Sequence, residues 1–218
     1  MLDRIGGIER IRFVTSHPKD LSLGLIREMS DLPKVCEHIH LPMQSGSSRI
    51  LKGMNRKYTF DTYSRKVSEL RRHIPDIAIT TDIITGFPGE TEKDHRLTID
   101  ALREMEFDGI FAFKFSPRPG TKAASLEDLL TEEEKSERLY EILELQDEIT
   151  LRKNRSLEGS VQEILIEGKS ETKKNLFSGR TRTNKIVTIE KDSSARGELV
   201  KVEIIRGRKH SLEGKRLT

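Results

Sequence analysis

Three stretches of this 218-residue chain carry side chains at spacings that could do chemistry. The first is Pro42-Met43-Gln44-Ser45-Gly46-Ser47-Ser48, a polar loop between an apolar run and a short helix at 49–53. Amides at a helix start, beside Gln and Ser side chains, suit carboxylate and ribose oxygens, although capping alone also explains the serines. The second is Thr81-Asp82-Ile83-Ile84-Thr85-Gly86-Phe87-Pro88-Gly89-Glu90. Its glycines let a ligand approach the backbone closely, and an ordinary strand-to-helix turn would use them too. The third is Gly179-Arg180-Thr181-Arg182-Thr183-Asn184-Lys185, whose cations and hydroxyls suit phosphate and base contacts; a solvated hairpin tip is the alternative.

Other candidates are thinner. His38 and His40 lie two apart on one strand and so point to one side, and with His17 they raise a metal site. No third ligand stands nearby at suitable spacing, which favours packing or hydrogen bonding for the pair. Cys36 is the single cysteine. It excludes an internal disulfide, fits a reducing compartment, and reads as a small buried side chain.

The elements that must position these groups alternate. Residues 10–15, 35–41, 77–84 and 109–116 read as strands, each ending in a polar loop that leads to a helix. The helices fall near 21–29, 49–53, 59–73, 91–106 and 131–154. Thr91-Glu92-Lys93-Asp94 and Thr131-Glu132-Glu133-Glu134 are capping boxes. Phe111, Phe113 and Phe115 share one face of the fourth strand and are expected to pack under helices, with a base-stacking platform as the other possibility. Lys114 faces the other way, toward a barrel interior or a ligand. Strand–helix alternation implies a parallel sheet with ligands at the strands' C-terminal ends. Four such units do not close a barrel of ordinary size and would leave a raw edge, which suggests that the N-terminal part of the fold lies outside the chain.

From 157 onward the period changes to two. Runs at 161–166, 176–181, 185–189, 198–205 and 209–217, punctuated by glycines, read as a small five-stranded antiparallel β-barrel. The expected organisation is therefore α/β: a partial parallel (βα) barrel over 1–156, followed by an OB-like barrel over 157–218. Residues 152–218 hold 17 Lys and Arg against 9 Asp and Glu, within a chain whose net charge is only +3. A basic second domain favours a polyanion such as nucleic acid. No apolar run approaches the roughly 20 residues of a membrane span.

Taken in order, Arg12-Phe-Val-Thr-Ser-His-Pro18, His40-Leu-Pro-Met-Gln-Ser-Gly-Ser-Ser-Arg-Ile-Leu51, Met54-Asn-Arg56, Thr81-Asp-Ile-Ile-Thr-Gly-Phe-Pro-Gly-Glu-Thr91 and Phe115-Ser-Pro-Arg-Pro-Gly-Thr121 resemble the radical-SAM tRNA methylthiotransferases. The resemblance is to the branch that converts N6-isopentenyladenosine beside the anticodon to its 2-methylthio derivative. Gly179-Arg-Thr-Arg-Thr-Asn184 resembles the TRAM domain of those proteins. The resemblance implies a cytoplasmic enzyme that uses S-adenosyl-L-methionine and a 4Fe-4S cluster and acts on the tRNA anticodon stem-loop. It implies cofactor contacts at Gln44, Ser45, Gly46, Arg56, Asp82, Ile84 and Gly86, with Asp82 on ribose hydroxyls and Arg56 on the methionyl carboxylate. It implies RNA contacts at Arg180, Arg182, Asn184 and Lys185. The family's Cys-x-x-x-Cys-x-x-Cys cluster motif is absent here, so no metal ligand is assigned, and a missing N-terminal half of the parent is the expected source of the cluster site. A stand-alone RNA-binding module and a different (βα) metal enzyme remain the other readings.

Overall fold

The computed structural model describes residues 2–12, 17–126, 130–170, 176–190 and 196–217. The chain divides into two compact units. One comprises Phe13–Leu32 and Ile39–Ile149, and the other Met1–Arg12, Pro33–His38 and Thr150–Thr218.

The first unit is built from α1 (Leu23–Asp31), β1 (His38–His40), α2 (Ser48–Gly53), α3 (Phe60–His73), β2 (Ala78–Thr85), α4 (Glu92–Met105), β3 (Gly109–Lys114) and most of α5 (Glu132–Arg155). The three strands form one sheet in the order β1-β2-β3, with β2 and β3 parallel and Asp82 paired with Phe111, Ile84 with Phe113. Helix starts are set by side chains. Ser22, Ser47, Thr59 and Thr91 each accept a hydrogen bond from the amide three residues on. Both capping boxes form: Asp94 answers Thr91, and Glu134 accepts from the Thr131 amide at 2.7 Å. Ile39, Leu41, Met43, Tyr63, Leu70, Ile79, Ile83, Ile99 and Phe107 are fully buried between sheet and helices.

The sheet departs from expectation in three ways. β1 is shorter than 35–41, and Val35 makes only an isolated parallel bridge to Ile11. Of the expected strand at 10–15, residues 13–15 lie outside the described residues. The phenylalanine face is the reverse of the expected one: Phe111 and Phe113 are 58% and 54% exposed. Alternation settles which residues share a face, but not which face the helices cover. Here Thr81, Ile83 and Thr85 point to the helices, while Asp82 and Ile84 stand with the phenylalanines on the open face. Lys114 accordingly reaches the helix layer, donating to Glu132 at 2.8 Å and Ser136 at 3.3 Å on α5.

The second unit is a closed barrel of β4 (Val161–Lys169), β5 (Leu176–Thr181), β6 (Ile186–Glu190), β7 (Leu199–Gly207) and β8 (Leu212–Arg216), in the order β4-β5-β6-β8-β7. It is not wholly antiparallel as expected: β6 and β8 run parallel. Closing a five-strand barrel in this order places the last strand between β6 and β7, and one of its two neighbours must then run the same way. Inward-facing Ile164, Ile166, Val187, Ile189, Val200, Val202, Ile204 and Leu212 form its core. Gly179 has no room for a side chain, since a Cβ there would lie 2.6 Å from the Leu165 carbonyl oxygen.

Candidate cofactor cavity and basic hairpin

A cavity of about 1120 Å3 opens at the C-terminal ends of the strands of the first unit. Its lining brings together Gln44, Arg56, Asp82 and Ile84 from the sequence-selected set, with Phe87, Phe113 and Phe115 as its aromatic part. Gln44 continues the sheet. Its amide donates to the Asp82 carbonyl at 2.8 Å, its carbonyl accepts from Ile84 at 2.9 Å, and its φ of 71° turns the chain out of the strand. Asp82 on β2 faces the cavity and meets His40 Nε2 at 3.3 Å, while His40 Nδ1 lies 3.0 Å from the Thr80 hydroxyl. An acceptor carboxylate held by its neighbour, half open to the cavity, suits paired hydroxyls.

Arg56 arrives by a different route. α2 ends with Asn55 in the left-handed region at φ 59°, and the Arg56 amide returns to the Leu51 carbonyl at 2.9 Å. That compact C-terminal turn sets the following residue over the cavity. Two residues on, the buried Tyr58 hydroxyl donates to the carbonyls of Pro42 at 3.0 Å and Met43 at 3.2 Å. Burial pushes the Tyr58 phenol up to about 12. Tyr58 thereby ties the segment carrying Arg56 to the loop carrying Gln44.

Ser45, Gly46 and Gly86 lie outside the cavity lining. Ser45 is fully buried against α4, with its hydroxyl 3.4 Å from that of Thr98. Gly46 donates to the Thr98 hydroxyl at 3.0 Å, and a Cβ there would come within 2.3 Å of the Leu97 carbonyl oxygen. Gly86, at φ 71°, donates to the Glu90 carboxylate at 3.1 Å. These positions shape the loops. Asp94 joins them: it accepts from the Ser47 hydroxyl at 2.6 Å, from Arg49, and from the Thr91 amide at 2.9 Å. Burial alone would raise its carboxyl, but the hydrogen bonds from Arg49, Ser47 and Thr91 outweigh burial and hold it far below the usual carboxylate range.

The histidines are engaged with protein groups. His17 Nδ1 accepts from the Lys19 amide at 3.1 Å, and its ring meets Tyr58 edge-on at 5.3 Å. Among the described residues, no group of three or more His, Cys, Asp or Glu side chains is placed to hold a metal ion. Cys36 is buried.

In the second unit, the basic hairpin between β5 and β6 turns at Asn184, whose φ is 67° and whose amide donates to the Thr181 carbonyl at 3.0 Å. Its cations are occupied. The Arg182 guanidinium donates to Glu37 from Nε at 2.8 Å and from Nη2 at 2.7 Å, and also to the Val35 and Pro33 carbonyls at 2.7 and 2.9 Å. Lys185 Nζ donates to Asn154 Oδ1 at 2.9 Å, and Arg180 pairs with Glu167 at 3.2 Å. In return the hairpin's backbone is gripped from residues 10–12. Arg10 donates to the Arg180 carbonyl at 2.5 Å, and Arg12 donates to Thr181 at 2.6 Å and Arg182 at 3.1 Å. Three arginines thus interlock the hairpin with the segments at 10–12 and 33–37, all inside one compact unit.

Sequence reasoning missed Lys52, Phe113, Arg118 and Lys122 as cavity residues. The available signal was position: each follows or ends a strand or helix at the loop-bearing edge.

The radical SAM superfamily model matches residues 1–102, and the TRAM domain model matches 155–217. The chain is 59% identical over 213 residues to a tRNA-2-methylthio-N(6)-dimethylallyladenosine synthase of Thermodesulfovibrio yellowstonii, covering 98% of this chain and 49% of that protein. It is 53% identical to the protein of the same name from Acetivibrio thermocellus, covering 98% and 44%. The chain therefore spans about half the length of the curated relatives it matches. Among solved structures, coproporphyrinogen III oxidase of Escherichia coli, described as a radical SAM enzyme, aligns with a TM-score of 0.53 at 17% identity over 64% of this chain and 32% of that one. That likeness shows the shared fold. With both domain matches in order and relatives of this identity across nearly its whole length, the chain belongs to the radical-SAM tRNA methylthiotransferase family.

Proposed function

We propose that this chain supplies the S-adenosylmethionine-holding part and the RNA-binding barrel of a cytoplasmic tRNA methylthiotransferase that modifies C2 of N6-isopentenyladenosine beside the anticodon. The observation that carries the reading is the convergence of Gln44, Arg56, Asp82 and Ile84 on one cavity at the strands' C-terminal ends, where parallel α/β folds bind ligands.

The residues present fit the cofactor. Asp82 would accept from the ribose hydroxyls, its orientation set by His40. Arg56 would meet the methionyl carboxylate, with Gln44 fixing the polar end and Ile84 packing on the adenine. Ser45, Gly46 and Gly86 act through loop shape, keeping Gln44 and Ile84 in place. When bound, S-adenosylmethionine supplies the radical chemistry of the superfamily; the protein's share is to hold and orient it and to exclude water. The cluster does not fit the residues here. A 4Fe-4S site needs several thiolates, and the chain holds one cysteine, which is buried. We assign the cluster ligands to polypeptide outside this chain.

For RNA, the barrel is the proposed contact, with Arg180, Asn184 and Lys185 at its hairpin. Arg182, whose guanidinium meets four protein acceptors, is assigned to holding that hairpin. Photoaffinity labelling with an azido-adenine analogue of S-adenosylmethionine tests the cavity. Label recovered on peptides containing Ile84 or Phe87, and competed by unlabelled cofactor, supports it. Label confined to residues 150–218 would overturn it and favour a module that binds RNA alone.

A further inference from the structure

The cavity lining carries five cations and one carboxylate. The carboxylate, Asp82, is held by His40, and one cation, Lys114, is paired with Glu132. Lys52, Arg56, Arg118 and Lys122 have no ion pair among the described residues. Arg56 is half-buried, whereas Lys52, Arg118 and Lys122 are exposed. Lys52 lies in the last turn of α2. Arg118 and Lys122 lie on the turn after β3, closed by the Thr121 amide and hydroxyl on the Arg118 carbonyl at 3.2 and 2.8 Å. On the same cavity lining, Phe113 stands more than half exposed on the open face of the sheet.

Cations that share a cavity with an exposed aromatic ring are the groups that grip single-stranded nucleic acid: phosphates on the charges, a base on the ring. Size points the same way. A pocket for one drug-sized molecule measures roughly 300–1,000 Å3, and this cavity, at about 1120 Å3, exceeds that range. One cofactor leaves room for a second occupant.

We propose that Lys52, Arg118 and Lys122 bind the phosphodiesters flanking a nucleotide that enters the cavity, and that Phe113 stacks on its base. The proposal rests on the cavity reading given under Proposed function and adds an RNA site in the first unit, apart from the barrel. It matters because the hairpin's Arg182 is already engaged with protein groups.

The test is fluorescence anisotropy with a short RNA stem-loop whose loop contains unpaired adenosines, across a series of salt concentrations. Each lost phosphate contact to a single strand lowers the salt slope by about 0.7. The Lys52→Ala, Arg118→Ala, Lys122→Ala triple variant should therefore flatten the slope by about 2 and weaken binding at least tenfold at low salt. Phe113→Ala should weaken binding about tenfold with the slope unchanged. Lys93→Ala, on the exposed side of α4, should change neither. S-adenosylmethionine binding is measured in parallel. An unchanged slope in the triple variant with cofactor binding retained would overturn the RNA site and leave the cavity reading standing. Cofactor binding lost in the triple variant would also overturn it, because the cations would then serve the cofactor. A wild-type chain that binds no stem-loop overturns it outright. Phe113→Ala, a single exposed change, keeps the test decisive should the triple variant fold poorly.

Discussion

Replacing Arg182 should cost the protein stability and leave its affinity for RNA nearly unchanged. The guanidinium makes three bonds to the Glu37 carboxylate, two of them shared by Nε, and two to the carbonyls of Val35 and Pro33. The side chains of Arg182 and Glu37 are 30% and 31% exposed, so water recovers part of the pair's energy on mutation. A pair so screened is worth about 1 kcal/mol, and each carbonyl left without its charged donor adds about 0.5–1 kcal/mol. Arg182→Gln should therefore destabilise by about 2–3 kcal/mol, a large share of a total of roughly 5–15 kcal/mol. For a chain of this size the melting temperature would fall by about 5–10 °C. A double-mutant cycle with Glu37→Gln should return a coupling of about 1 kcal/mol, measured by urea unfolding. Burial would raise the Glu37 carboxyl, but the Arg182 hydrogen bonds and charge outweigh burial and hold it below its ordinary value. A depressed carboxylate contributes stability above its unfolded pKa of about 4.5 and loses it as pH falls through the folded value. The coupling should thus be full at pH 7 and fade in acid. Zero coupling at pH 7, with stem-loop affinity reduced tenfold by Arg182→Gln, would refute this reasoning and return Arg182 to the RNA surface.

Other outcomes follow from the loops. Gly46→Ala should destabilise by about 1–3 kcal/mol, because its Cβ would press on the Leu97 carbonyl and backbone cannot yield as a side chain can; thermal unfolding reads it. Asp94→Asn should cost about 2 kcal/mol and flatten the acid limb of the stability curve, since the native carboxylate stabilises above its unfolded pKa of about 3.8 and that contribution is lost as pH falls below it. Tyr58 should release its proton only near pH 12 in the native protein, seen as delayed phenolate absorbance; its raised pKa means that its contribution to stability is complete below about pH 10 and is lost as pH climbs toward 12. Tyr58→Phe should weaken S-adenosylmethionine binding a few-fold by freeing the Pro42 and Met43 carbonyls that hold the Gln44 loop.

Local chemistry was legible in the sequence. The capping boxes at Thr91 and Thr131 form as read, because their partners lie three residues away and no tertiary contact is needed to see them. The run at 77–84 became β2 because its many β-branched residues and the bounding Gly86 act within a few residues. What failed was long-range. Alternation grouped Phe111 with Phe113 correctly, but the covered face depends on where Ile83 and the helices pack. The partners of Arg182 lie about 145 residues earlier, so a basic hairpin and an interlocked one are identical in sequence. Ser45 and Gly46 looked like ligand groups, yet the close approach of α4 accounts for both. The parallel β6–β8 pair follows from barrel closure, which strand spacing alone does not report.

The most direct measurement is isothermal titration of S-adenosylmethionine into the chain and its Asp82→Ala and Arg56→Ala variants. The proposed cavity predicts saturable one-site binding that each substitution weakens about tenfold, a loss of about 1.4 kcal/mol, with circular dichroism unchanged. No saturable binding by the wild-type chain, or binding indifferent to both substitutions, would contradict it.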